Sequence, residues 1–77
     1  MKVIKQYFSP ARDENYLLAE MSDGSYMVGW ADYVREERLG HASPAFNTDD
    51  LPYAESIFAA ETAYWEKVWQ GLTKDDG

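Results

Sequence analysis

The chain has 77 residues, with 14 acidic and 7 basic side chains and a formal net charge of −7; this fits one domain and argues against direct binding to nucleic-acid phosphates. It contains no cysteine, which excludes disulfides, thiol nucleophiles and thiolate metal ligands and is compatible with a reducing cytoplasm. Aromatic residues make up 16% of the chain. A core this small leaves some rings at the surface, where tyrosine and tryptophan favour recognition.

Lys2 to Ser9 predicts a strand ended by Pro10, its parity open between Ile4, Gln6, Phe8 and Val3, Lys5, Tyr7. The start MKVIKQYF is too short and too mixed for a signal peptide, and no apolar run reaches membrane-spanning length. Ala11 to Asn15 is a polar loop. Tyr16 to Met21 and Tyr26 to Val34 predict a hairpin about Ser22-Asp23-Gly24-Ser25. With Asp23-Gly24 as a two-residue turn, Met21 opposes Tyr26, Ala19 opposes Val28 and Leu17 opposes Trp30. That more apolar face is expected to meet a helix. The other face carries Tyr16, Leu18, Glu20, Met27, Gly29, Ala31 and Tyr33. It reads either as a contact surface or as a plain, partly apolar exterior.

Arg35-Glu36-Glu37-Arg38 predicts a charged bend ended by Gly40. His41 to Asn47 is an expected fourth strand, on an edge or irregular because of Pro44, with Ala42 and Phe46 inward. Leu51 to Leu72 predicts one long helix, from the spacing of Leu51, Ala54, Ile57, Phe58, Tyr64, Trp65, Val68, Trp69 and Leu72. Thr48, Asp49 or Asp50 would cap it, Pro52 fixes the first turn, and Gly71 would stop it, with residues 73–77 fraying. The apolar arc runs from Ala60, Tyr53 and Tyr64 through Ile57 and Val68 to Phe58, Trp65 and Trp69. Glu61 lies inside it, either paired with Arg35 or Arg38 or snorkelling to the rim, or as a polar anchor for a partner. The side holding Glu55, Ser56, Ala59, Ala63, Glu66, Lys67 and Gln70 should be solvated. The expected fold is therefore α+β: a three- to four-stranded antiparallel sheet, ordered strand, hairpin, edge strand, covered on one face by a long C-terminal helix.

No constellation for catalysis stands out. His41 and Ser43 would share a strand face but lack a third orienting group. The carboxylate pairs Asp13-Glu14, Glu36-Glu37, Asp49-Asp50 and Asp75-Asp76 do not have the spacing of a calcium loop. The expectation is a protein with no catalytic residues, cofactor or metal.

The order of a few residues resembles a known family. Met1, Lys2, Ile4 and Lys5 at the start, Asn15-Tyr16 opening the second strand, Gly24-Ser25 in the hairpin, Gly40 in the bend, and Phe46 with Thr48 before an acidic helix start are similar to small phage anti-CRISPR proteins acting on type I surveillance complexes. The resemblance covers about the first two thirds of the chain. It implies binding to the repeated backbone subunit of such a complex through tyrosines and a carboxylate on the sheet. Tyr7 and Asp32 fall near such positions, whereas Met21 stands where a tyrosine would be expected. The family's glycine-rich break between two helices is replaced here by one uninterrupted run.

The expected function is that of a protein-binding inhibitor, phage or mobile-element encoded, in the cytoplasm of a bacterial host. As a DNA mimic it would occupy a basic surface of a nucleic-acid-binding protein, a Cas subunit being the suspected partner, with no direct contact to nucleic acid or membrane. Tyr7, Tyr16 and Tyr33 would anchor it, and Glu20, Asp32, Glu36 and Glu37 would supply charge. The alternative is a homodimeric structural or regulatory module joined through Trp65 and Trp69 on the helix.

Overall fold

The computed structural model describes residues 1–34 and 45–73. The bend with Glu36 and Glu37, the segment holding His41 and Pro44, and the acidic tail after Lys74 lie outside the described residues. The chain forms an antiparallel sheet packed against one long helix. Strands β1 (Lys2–Ser9), β2 (Glu14–Glu20), β3 (Tyr26–Trp30) and β4 (Phe46–Thr48) lie side by side in chain order, each antiparallel to the next. A short 3-10 turn, Ala31–Tyr33, follows β3, and the helix α1 is Leu51–Thr73. The third strand is thus shorter than the expected Tyr26 to Val34.

The hairpin differs from expectation by one residue, and the consequence reaches the core. Met21 N donates to Ser25 O at 2.8 Å and Gly24 N donates to Met21 O at 3.0 Å, so the loop is Ser22-Asp23-Gly24, three residues rather than two. Gly24 has φ 88°, the left-handed position that closes such a turn. Asp23 Oδ1 accepts from Ser25 N and Ser25 Oγ at 3.0 and 2.6 Å, which fixes the turn locally. Tyr16 therefore pairs with Trp30, Leu18 with Val28 and Glu20 with Tyr26. A one-residue slip moves every side chain of one strand to the other face. The β3 side chains Tyr26, Val28 and Trp30 face α1 as expected, but their β2 neighbours are Tyr16 and Leu18, not Leu17, Ala19 and Met21.

Both faces of the sheet are consequently packed. Towards the helix, Tyr16, Leu18, Val28, Ala54 and Phe58 form one buried cluster, bordered by Tyr7, Tyr26, Trp30, Leu51 and Ile57. On the opposite face Leu17, Ala19, Met21, Met27 and Val34 form a second, with Ala45 against it. The face read as a contact surface or a plain exterior is thus divided: Tyr16 and Leu18 are core on the helix side, Met27 is core on the other, and Ala31 and Tyr33 are exposed. Gly29 belongs to that second face: a Cβ there would sit 2.8 Å from Ala45 Cβ and 3.1 Å from its Cα, so the chain crosses where only glycine fits.

The ambiguous parity of β1 has a specific cause. The register shifts between Val3 and Lys5, leaving Ile4 as a bulge, so Val3 pairs across from Ala19 while Lys5 pairs across from Leu18. Lys5 and Tyr7 then lie on the helix side, where Lys5 Nζ meets Glu55 Oε2 at 3.8 Å.

Asp50 resolves the choice of cap. Its Oδ1 accepts from Tyr53 N at 3.3 Å, its backbone O accepts the first helical bond from Ala54, and Thr48 Oγ1 accepts from Asp50 N at 3.1 Å. The helix passes through Gly71 and ends at Thr73, whose hydroxyl donates to Trp69 O at 3.1 Å. Ala54 and Phe58 are its buried residues, and Leu51, Glu61 and Trp65 lie along the same stripe. The buried stripe is narrower than the expected arc: Tyr53, Ala60 and Tyr64 are exposed.

Candidate functional site

The helix crosses the sheet with Trp65 over the end of β3. Tyr16 and Trp30, opposite one another in register, meet edge to face with ring centroids 4.9 Å apart. Trp30 meets Trp65 at 5.7 Å with an interplanar angle of 79°, and Tyr64 meets Trp65 at 5.2 Å and 86°. Phe58 closes the inner side, 5.7 Å from Tyr16. Such perpendicular ring pairs place positive edges on negative faces.

The outer side is closed by a cation. The turn between β1 and β2 is anchored by Ser9, fully buried, whose carbonyl accepts from Arg12 N at 3.2 Å and Asp13 N at 2.7 Å. Asp13 adopts φ 56°, a left-handed conformation that aspartate tolerates better than most residues. This turn carries the Arg12 guanidinium to 4.3 Å from the centroid of Trp30 and 5.3 Å from that of Trp65. Its Nε and Nη2 both donate to Glu14 Oε1, at 3.2 and 3.0 Å.

Two more carboxylates are held at the same end. Trp65 Nε1 donates to Glu61 Oε2 at 2.9 Å, so the acid inside the apolar stripe is satisfied by a neighbour one turn away. The Tyr7 hydroxyl donates to Glu66 Oε2 at 2.8 Å, tying β1 to the helix. The result is a guanidinium site with two indole walls, a carboxylate ligand on one side and a second carboxylate fixed to a wall.

Burial, and then the nearby charge of Glu61, push the Tyr16 hydroxyl pKa up to about 12 from 10.0. Burial also raises that of Tyr7, helped by its bond to Glu66 and that carboxylate's charge. The folded state thus keeps a proton on Tyr16 that the unfolded chain releases near pH 10. Its contribution to stability is complete below that pH and is lost as pH rises towards 12. Urea midpoints measured across this range should fall more steeply for the wild type than for Tyr16→Phe; parallel curves would contradict this assignment.

Of the residues expected to bind a partner, Tyr7 joins the cluster. Tyr16 is only 6% exposed, packed between Trp30 and Phe58, and is a core residue rather than an anchor. Glu20 lies at the other end of β2, about 13 Å away along the strand, beside Lys2 and Tyr26. There it borders an open depression of about 250 Å³ with Met1, Lys2, Met21 and Ser22. Asp32 and Tyr33 are exposed in the turn just after Trp30; Glu36 and Glu37 lie outside the described residues. Among the described residues, the expected set therefore does not share one patch.

Residues that do come together but were not singled out are Arg12, Glu14 and Trp30. Arg12 and Glu14 are two residues apart, but the contacts of Arg12 with Trp30 and Trp65 join segments far apart in sequence, and no local pattern announces those. Glu61 was expected to pair with Arg35 or Arg38, to snorkel or to anchor a partner; its bond to Trp65, four residues on, is one that helical spacing allows. A second open depression, about 430 Å³, lies on the outer helix along Ala60, Ala63, Tyr64, Glu66, Lys67 and Gln70. Among the described residues no group of three His, Cys, Asp or Glu side chains could hold a metal ion, and no helix is long and apolar enough to cross a membrane. No family model, curated protein or solved structure matches this chain.

Proposed function

We propose that this chain is a small inhibitory protein, phage or mobile-element encoded, that works in a bacterial cytoplasm by covering a basic nucleic-acid-binding surface of a type I CRISPR surveillance complex. The observation that carries the reading is the cluster of rings and carboxylates that already holds a guanidinium. Groups that bind arginine within the chain are the groups that bind arginines of a nucleic-acid-binding surface. The net charge of −7 supplies long-range attraction to such a surface. Exposed Asp13, Asp32, Tyr33, Tyr64 and Glu66 extend the polar and aromatic character around the cluster. The choice of target rests on the resemblance in residue order described above.

The alternative, a dimer through Trp65 and Trp69, has less behind it, because Trp65 is turned onto Trp30 and half-buried within one chain.

The test is fluorescence anisotropy of a labelled target duplex with a purified type I surveillance complex. Adding the chain at a few equivalents should abolish duplex binding. Unchanged duplex binding in excess chain would overturn the choice of target.

A further inference from the structure

The geometry points to a self-latched arginine-binding site: Arg12 occupies the Trp30–Trp65 cage in the free chain and gives way to an arginine of the partner on docking. This deepens the proposed reading and rests on it for the partner's identity, but the cage itself can be tested without any partner.

Three observations carry the inference. The walls are built independently of Arg12. Trp30 is set by its pairing with Tyr16 and its ring contact to that residue, and Trp65 by the Trp30 contact and by its bond to Glu61. Removing the arginine therefore leaves a shaped cation-binding site rather than a collapsed one. The occupant, in contrast, is held weakly. Arg12 keeps 36% of its side chain exposed and its ion-pair partner Glu14 keeps 30%. A pair open to water contributes little, so the Arg12–Glu14 bond does little to hold Arg12 against a second guanidinium that makes the same contacts. Finally, the ligand chemistry is specific. Two indoles at a steep angle beside a carboxylate suit a planar guanidinium, which stacks on a ring while its N–H fork meets the acid; an ammonium offers only a point charge.

A latch has a consequence for affinity. Intramolecular occupancy lowers the apparent affinity for an external arginine by the fraction of time the cage is closed. A chain with a net negative charge would otherwise attach its cage to any exposed arginine.

The experiment uses the full chain and N-acetyl-arginine methylamide as probe, followed by NMR on the indole N–H signals of Trp30 and Trp65. Arg12→Ala should show saturable shifts of both signals, with binding at least about fivefold tighter than in the wild type. The matching lysine derivative should bind more weakly to the same variant, and Arg12→Ala with Glu14→Gln, which removes the carboxylate that meets the guanidinium, should lose much of the response. If Arg12→Ala does not fold, Arg12→Ser, which suits the turn and leaves the rings uncovered, gives the same comparison. Absence of a saturable shift in a folded Arg12 variant would overturn the cage. Equal binding by variant and wild type would overturn the latch. Neither result would bear on whether the chain blocks duplex binding by the surveillance complex, which is measured separately.

Discussion

Phe58→Ala will remove a large part of the stability of the fold. Phe58 is 9% exposed and sits where the helix meets the sheet, against Tyr16, Leu18, Val28 and Ala54. Truncating a buried phenylalanine costs about 3–5 kcal/mol, through lost burial and the cavity left behind. A domain of this size has roughly 4–12 kcal/mol in total at ordinary stability per residue. The variant should therefore unfold at far lower urea, read by tryptophan fluorescence, or be partly unfolded in buffer. Phe58→Leu should recover much of the loss, because it refills most of the volume. A Phe58→Ala chain within about 1 kcal/mol of wild type would mean that the helix does not seal this face.

Trp65→Ala will loosen the far half of the helix. Beyond Phe58 the helix has no fully buried side chain among the described residues, and residues 70–73 are exposed. Trp65 is the principal attachment there, through Trp30 and Arg12. Its half-burial places the cost below that of a sealed ring, at about 2–3 kcal/mol. The more informative readout is local. Amide hydrogen exchange should accelerate in residues 62–73 while β2 and β3 keep their protection, since a segment with few buried contacts opens on its own. The Tyr7–Glu66 bond provides the remaining tether and should become more important in this variant. Uniform acceleration throughout the chain, or none, would contradict this division.

The contrast between these two positions shows what the sequence made legible. The helix, its start at Asp50 and Pro52, the extent of β1 and the presence of a hairpin all follow from local signals: period, caps and turn residues. The face of β2 did not, because it depends on whether Gly24 is the second or third residue of the turn. Asp-Gly is compatible with both, and a single residue decides whether Leu17 or Leu18 meets the helix. The bulge at Ile4 scrambled β1 in the same way. Tyr16 then went from an outward tyrosine to a buried one, and Leu18 to complete burial.

The site was less legible than the fold. Arg12 looked like one charge in a polar loop, and Trp30 like one face of a strand. Only tertiary packing sets a guanidinium against both Trp30 and Trp65. The acid that seemed out of place, Glu61, was the single local sign of it. Its bond to the Trp65 indole joins helical neighbours, and Arg35 and Arg38, its expected partners, lie outside the described residues.

The central claim is that the chain works by seating acidic and aromatic groups on a cationic protein surface. The direct measurement is calorimetric titration of the chain into a purified type I surveillance complex at low and high salt. Saturable binding is expected, weakening about tenfold or more between 50 and 300 mM salt, as contacts steered by charge are screened. No binding, or an affinity indifferent to salt, would contradict it.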